Sequence, residues 1–222
     1  SMIGIAMSNT DVVMNIPGGR GAVLGNNPLS YAVPAGSQPP IVLDIAMSTV
    51  AGGKVNAYKD RGTPVPEGWL TDKDGLPTTD PEVFTVTGAL TPFSNHKGYG
   101  LALLVESLAG VLGGAAFATD IHSWAKVSDD TCDEGHSFIA IDVGAMMQLD
   151  KFYERIDELI RRMRGTPTAP GVDRTLVPGE MEHECETISR REGAPLTRMA
   201  VENLVGLAED TDLVEQLPFR YP

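Results

Sequence analysis

The chain has 222 residues, 42% of them hydrophobic and 21% charged, and 30 acids against 17 bases give a formal net charge of −13. That balance argues against a general binder of nucleic acid or of an anionic membrane surface, since both need a basic face, and no apolar run is long enough to span a bilayer. Cys132 and Cys185 stand without CxxC spacing and suit a reducing compartment, so the expected location is cytoplasmic.

Met2 to Met7 reads as a strand running into Ser8-Asn9-Thr10. A strand so close to the first residue is unusual, because natural termini fray, and it suggests a cloning scar at Ser1 or a fragment. Pro17-Gly18-Gly19-Arg20-Gly21 and Gly25-Asn26-Asn27-Pro28 are loop chemistry. Strands follow at Leu29 to Val33 and Ile41 to Met47, then a short helix over Ser48 to Tyr58 weakened by Gly52 and Gly53. Residues 60–80 read as a long ordered loop of the kind that often carries function. At its end Asp80 is set to cap a short helix with Pro81 in the first helical position.

The run from Lys97 to Leu112 predicts the organising helix. Leu101, Leu104, Val105, Leu108, Val111 and Leu112 form a stripe wide enough to face a core, and Ser94 or Asn95 can cap it. Lys97 sits where the helix dipole disfavours a cation, and Gly98 and Gly100 are poor helix formers. An anion held by free N–H groups and Lys97 would compensate; otherwise Lys97 is a surface residue with its charge in water.

Phe138 to Val143 reads as a strand, and Leu149 to Met163 as an amphipathic helix with Leu149, Phe152, Ile156, Leu159, Ile160 and Met163 on one face. Arg174 to Val177 reads as a short strand, and helices are expected over Met181 to Arg191 and Leu196 to Leu207. Elements mix without a regular βαβ rhythm, so the expected class is α+β, with a mixed, largely antiparallel sheet and flanking helices.

G-x-G-x-x-G between strand and helix, G-x-S-x-G and Walker patterns are all absent. The four histidines (His96, His122, His136, His183) are too far apart in sequence to suggest structural zinc. Asp44, a carboxylate in an apolar strand run, must be paired or hydrogen-bonded; it is either an acid at a ligand or an anchor for a loop. His96 reads better as a surface or cap residue than as an acid–base group. Glu180 could accept from ribose hydroxyls or be an ordinary acid in a helix first turn. Trp69, beside Pro66 and Gly68, reads as loop packing.

Taken in order, Met2-Ile3-Gly4 to Thr10, Pro17-Gly18-Gly19, Leu24 to Leu29, Asp44-Ile45-Ala46-Met47-Ser48 with Gly53-Lys54, Pro66-Glu67-Gly68-Trp69, Asp72 to Pro81, Lys97-Gly98-Tyr99-Gly100-Leu101 and Pro178-Gly179-Glu180 resemble the malate/L-lactate dehydrogenase family. That family is unrelated to the Rossmann-type lactate dehydrogenases. The resemblance implies a non-Rossmann NAD(P)-binding fold in a homodimer, with NAD or NADP as cofactor. It implies hydride transfer to or from a small 2-hydroxy or 2-oxo acid, or a cyclic imino acid. By position, Thr10, Asp44, Ile45, Ala46, Lys97, Pro178, Gly179 and Glu180 correspond to cofactor-contacting residues. Residues 1–180 would form the cofactor-binding domain, and 181–222 a helical segment packing on it or on a preceding domain. Met47 departs from the threonine usual in the family at that position. The family's helical N-terminal part, with its acid–base histidine, has no counterpart here, so no catalytic residue is assigned. The alternative is a non-catalytic nucleotide-binding or dimerisation module derived from the family.

Overall fold

The computed structural model describes residues 1–123 and 131–218. They divide into two units, Ser1–Gly179 and Glu180–Pro222.

Among the described residues, nine strands lie in the first unit: β1 (Met2–Ser8), β2 (Val12–Met14), β3 (Leu24–Gly25), β4 (Leu29–Val33), β5 (Ile41–Ile45), β6 (Leu70–Thr71), β7 (Pro77–Thr78), β8 (Ala89–Leu90) and β9 (His136–Asp142). They form two sheets. The first has the order β5-β4-β1-β9 and is antiparallel throughout. The second, of short strands, has the order β3-β2-β8-β6-β7 and contains one parallel pairing, Met14 with Leu90. The class is α+β with largely antiparallel sheets, as the sequence leads one to expect.

The α-helices of this unit among the described residues are α1 (Gly52–Asp60), α2 (His96–Val105), α3 (Val143–Met146) and α4 (Leu149–Arg164). α1 starts at Gly52, later than expected, where an added Cβ would lie 2.8 Å from the Phe84 ring. The 60–80 stretch is more regular than its composition suggests, since β6 and β7 pair within it. Asp72 Oδ1 closes the turn between them by accepting from the N–H groups of Asp74 and Leu76. Trp69 packs edge-on against Tyr58, ring centroids 5.4 Å apart. Asp80 caps the short 3-10 helix Pro81–Val83 through the Glu82 N–H, as expected. The segment Arg174 to Val177, expected as a strand, is irregular. Val177 is nonetheless buried, against Ile156 and Ile160 of α4.

α2 continues without a break into a π-helix, Glu106–Val111. The buried positions of this double element are Gly98, Ala102, Val105, Glu106, Ala109 and Gly110. Of the stripe expected to face a core, Val105 and Leu108 do so, but the rest faces outward: Leu101, Leu104, Val111 and Leu112 are 40%, 47%, 58% and 76% exposed. The helix packs through its small residues, which allow close approach to the backbone beneath. Val105, Ala109 and Leu108 meet the first sheet at Ile5, Met7 and Leu29. The main core lies around the second sheet and α1, with Met14, Met47, Leu70, Leu90 and Val55 fully buried.

α4 buries Ile156 and Ile160 against Val33 and Ile41. It also holds the β4–β5 turn: Asp157 accepts from Gly36 N at 2.9 Å, Ser37 N at 2.7 Å and Ser37 Oγ at 2.7 Å. These bonds, Ser37's foremost, bring the Asp157 pKa down to about 2.

Among the described residues, the second unit consists of α5 (Glu180–Glu192), α6 (Arg198–Asp210) and a 3-10 turn at Val214–Gln216. Thr197 caps α6 through the Ala200 N–H, and Glu186–Arg190 and Glu202–Arg198 are i,i+4 ion pairs. Among the described residues no helix is long and apolar enough to cross a membrane, and no group of three or more metal-ligating side chains converges.

Candidate functional site

The register Met7–Leu29–Ile45, with Ser8 opposite His136, places four chain ends at one end of the first sheet. Three of the family-like segments meet there. Thr10 Oγ1 donates to Asn26 Oδ1 at 2.9 Å. The Asn26 carbonyl accepts from Met47 N at 2.7 Å, the Met47 carbonyl from Phe93 N at 3.0 Å, and the Phe93 carbonyl from Gly98 N at 2.9 Å. A single hydrogen-bonded path therefore links Thr10, the end of β5 and the first turn of α2. Two glycines make the approach possible. A Cβ on Gly25 would fall 2.3 Å from the Thr10 carbonyl, and one on Gly98 would fall 2.6 Å from the Phe93 carbonyl and 2.7 Å from that of Met47.

The role of Gly98 is thus close contact. The N–H groups of Lys97, Gly98 and Tyr99 already donate to the carbonyls of Ser94, Phe93 and Asn95. They are not the free donors that the sequence suggests for an anion, and neither Ser94 nor Asn95 caps the helix with its side chain. Both have positive φ, 46° and 55°, and serve to turn the chain sharply into α2. What α2 offers an anion is the Lys97 ammonium, which is exposed and makes no ion pair among the described residues.

Beneath this end of the sheet lies a buried polar cluster. Glu106, 4% exposed, accepts through Oε1 from Asn9 Nδ2 at 3.3 Å and Ala118 N at 2.7 Å, and through Oε2 from Asn27 Nδ2 at 2.6 Å. Asn9 Oδ1 accepts from Gly135 N, and Asn27 Oδ1 from Thr10 N. No buried side-chain polar atom is left without a partner among the described residues, as expected where burying an unpaired polar group is costly.

The face of the first sheet opposite α2 carries the lateral row Asp44–Ser30–Ala6–Phe138. Asp44 is exposed there, so it escapes the burial that its apolar neighbours in sequence suggest. With Ser8, Pro28 and His136 this row lines a depression of about 210 Å³. Pro178 and Gly179 lie against the same strand: the Val42 N–H donates to the Pro178 carbonyl at 3.1 Å, and Gly179 (φ 93°) would place a Cβ 2.9 Å from the Val42 carbonyl.

The structure thus brings Thr10, Ala46 and Lys97 to one end of the sheet and places Asp44 and Pro178-Gly179 along β5. Ile45 turns into the core, and Glu180 is the first residue of α5 in the second unit. His96, the first residue of α2, is exposed. Sequence reasoning missed Glu106, although a signal was present: it is the only acid in the apolar run from Leu101 to Leu112. It also missed Ser30 and His136, whose place beside Asp44 depends on strand pairing.

Solved structures of dehydrogenases share this fold, an antiparallel sheet whose loops gather on the start of a glycine-tight helix. The malate dehydrogenase of Entamoeba histolytica superposes with a TM-score of 0.89 at 30% identity, over 98% of this chain and 63% of that one. In sequence, the L-sulfolactate dehydrogenase of Methanothermobacter thermautotrophicus is 34% identical over 212 residues, 96% of this chain and 60% of the relative. The (2R)-3-sulfolactate dehydrogenase (NADP(+)) of Chromohalobacter salexigens is 35% identical over 162 residues, 73% of this chain and 48% of that protein. The malate/L-lactate dehydrogenase family matches over residues 1–205, and the chain belongs to it. It spans about three fifths of the length of the first of these sequence relatives.

Proposed function

We propose that this chain is the cofactor-holding portion of an NAD(P)-dependent oxidoreductase that transfers a hydride between a nicotinamide and a 2-hydroxy or 2-oxo acid of the malate, lactate or sulfolactate kind. The observation that carries this reading is the hydrogen-bonded path from Thr10 through Asn26, Met47 and Phe93 to Gly98, which sets Lys97, exposed and without an ion pair among the described residues, beside the end of β5. On a chain of net charge −13, an exposed lysine held on a rigid turn is a selective partner for phosphate.

The residues present suit a dinucleotide. Lys97 supplies the cation for a phosphate, Asp44 an acceptor for paired ribose hydroxyls, and Thr10 a hydroxyl. The depression at Asp44, about 210 Å³, is below the ~300–1,000 Å³ of an ordinary ligand pocket; it suits one sugar or ring, with the rest lying over the sheet end. The nicotinamide, when bound, carries the hydride. The chain's own work is to hold that ring still against the substrate carbon, which lowers the barrier through orientation. Residues 1–180 are assigned to cofactor binding and 181–222 to a helical segment. A cytoplasmic homodimer is part of the proposal, and the exposed stripe of Leu101, Leu104, Val111 and Leu112 supports a self-association surface.

Calorimetric titration of NADH and NADPH into the protein and its Lys97→Ala variant tests the reading. Lys97→Ala should weaken binding by at least about 1–2 kcal/mol, as for a charge-assisted contact, with circular dichroism unchanged. Absence of binding by the parent chain, or equal affinity in the variant, refutes it. Binding without turnover of malate, lactate or sulfolactate would favour a non-catalytic nucleotide-binding module.

A further inference from the structure

We propose that Glu106 is a positioning residue for the nucleotide site: by accepting only, it fixes the orientation of the Asn9 and Asn27 amides and through them the placement of Thr10. The proposal rests on the cofactor reading above and adds to it a residue that would touch neither cofactor nor substrate.

Glu106 is the only acid on the α2–π element. A carboxylate in such a place needs several donors to compensate its lost hydration. Among the described residues it has three, and none is a cation: Asn9 Nδ2, Asn27 Nδ2 and the Ala118 N–H. A salt bridge would be the simpler way to keep an acid buried. The use of two amides has a geometric result that a salt bridge lacks. An amide carries donors on one side and an acceptor on the other. Because Glu106 takes only donors, both asparagines must turn their NH2 groups toward it, and their oxygens are thereby aimed the opposite way. Asn27 Oδ1 then receives Thr10 N at 3.3 Å, and Asn9 Oδ1 receives Gly135 N at 2.7 Å.

Thr10 is thus held from both sides. Its N–H is held by Asn27, and its hydroxyl by Asn26, the residue before Asn27 in the chain. Asn27 itself stands at φ 38°, a region that L-residues occupy when the surroundings enforce it. Its Nδ2 also donates to the Ala102 carbonyl at 3.1 Å, so the same amide ties the loop to α2. The π-turn that begins at Glu106 belongs to this arrangement, since π-turns recur where a helix is locally re-aimed at a functional site. Each step from Glu106 to Thr10 is one hydrogen bond long, and the Thr10 hydroxyl begins the path that ends at the first turn of α2.

A purely structural Glu106 would affect folding alone, so the test reads binding and coupling. Dissociation constants for NADH and NADPH are measured by fluorescence, well below the unfolding midpoint, for the parent chain, Thr10→Ala, Glu106→Gln and the double variant, with Lys97→Ala alongside. Gln keeps the size of Glu but offers an NH2 group to one of the donors and frees the asparagine amides to turn. Thr10→Ala and Glu106→Gln should each weaken binding about tenfold, the scale of one hydrogen bond to a charged group. The double variant should be no weaker than either single one, because the two residues act as a unit. Thr10→Ala weakening with Glu106→Gln within twofold of the parent overturns the proposal and leaves the cofactor reading standing. So do losses that multiply to about a hundredfold, the mark of independent sites. No binding by the parent chain, or binding untouched by Lys97→Ala, overturns the cofactor reading and the proposal with it. If Glu106→Gln does not fold, Glu106→Asp takes its place. It keeps two accepting oxygens on a shorter arm and should show a smaller loss with the same lack of additivity; parent-like affinity overturns the proposal.

Discussion

Gly98 and Gly100 stand two residues apart in α2, and alanine should act on them with opposite signs. Helix propensity alone favours both substitutions, by about 0.8–1.0 kcal/mol each. At Gly100 nothing lies within 4 Å of an added Cβ, so the gain should appear almost whole: Gly100→Ala is expected to stabilise by about 0.8 kcal/mol. At Gly98 the added carbon would lie 2.6 Å from the Phe93 carbonyl, 2.7 Å from the Met47 carbonyl and 2.8 Å from the Phe93 nitrogen. All three are backbone atoms and cannot rotate aside, so the strain belongs at the upper end of the ~1–3 kcal/mol seen for overpacking. Set against the propensity gain, Gly98→Ala should destabilise by about 2 kcal/mol. In a domain of this size that lowers the unfolding midpoint by roughly 4–8 °C. Urea unfolding at 25 °C, followed by circular dichroism, reads both variants, with an unchanged m-value showing that stability alone has moved. A Gly98→Ala protein as stable as the parent would refute the close packing of α2 on the β5 and Phe93 backbones. A destabilised Gly100→Ala would refute the account of the exposed helix face.

Two further outcomes follow from the geometry. Asp157→Asn should destabilise the protein near pH 6. The folded pKa of about 2 lies below the ~3.9 of a free aspartate, so the stabilisation is complete above the higher value and vanishes as pH falls through the lower. Parent and variant should converge near pH 2 in denaturant titrations, and a constant gap from pH 6 to pH 2 would remove Ser37 and Gly36 as the cause. Asp44→Asn, on the open face, should leave stability within about 0.5 kcal/mol and weaken NADH or NADPH binding; the reverse pattern would make Asp44 structural.

The strands of the first sheet and the capped turn at Asp80 were legible because their signals are local: alternation, proline, a short acid at a cap. α2 was legible as a helix but not in its facing. Leucines at helical spacing show that some surface is apolar, not which surface is covered, and here the small residues on the other face let the helix lie on the backbone. Lys97 lies in the first turn of α2, as its spacing predicts, but the first-turn N–H groups have partners, so the free donors expected for an anion are absent there. Glu106 escaped notice because its donors come from residues far away in the chain, Asn9 and Asn27, and nothing in the local sequence announces them.

β1 occupies an inner position of its sheet, yet one of its two neighbours, β9, lies more than a hundred residues downstream, with Met2 opposite Asp142 and Ser8 opposite His136. During synthesis β1 can pair with β4 early, but its other edge stays bare until β9 has been made. At roughly 5–20 residues per second this interval lasts on the order of ten seconds. For that time the nascent chain presents an unpaired edge of the kind on which chains associate wrongly. The middle of the finished sheet is therefore closed by the last-made of its four strands.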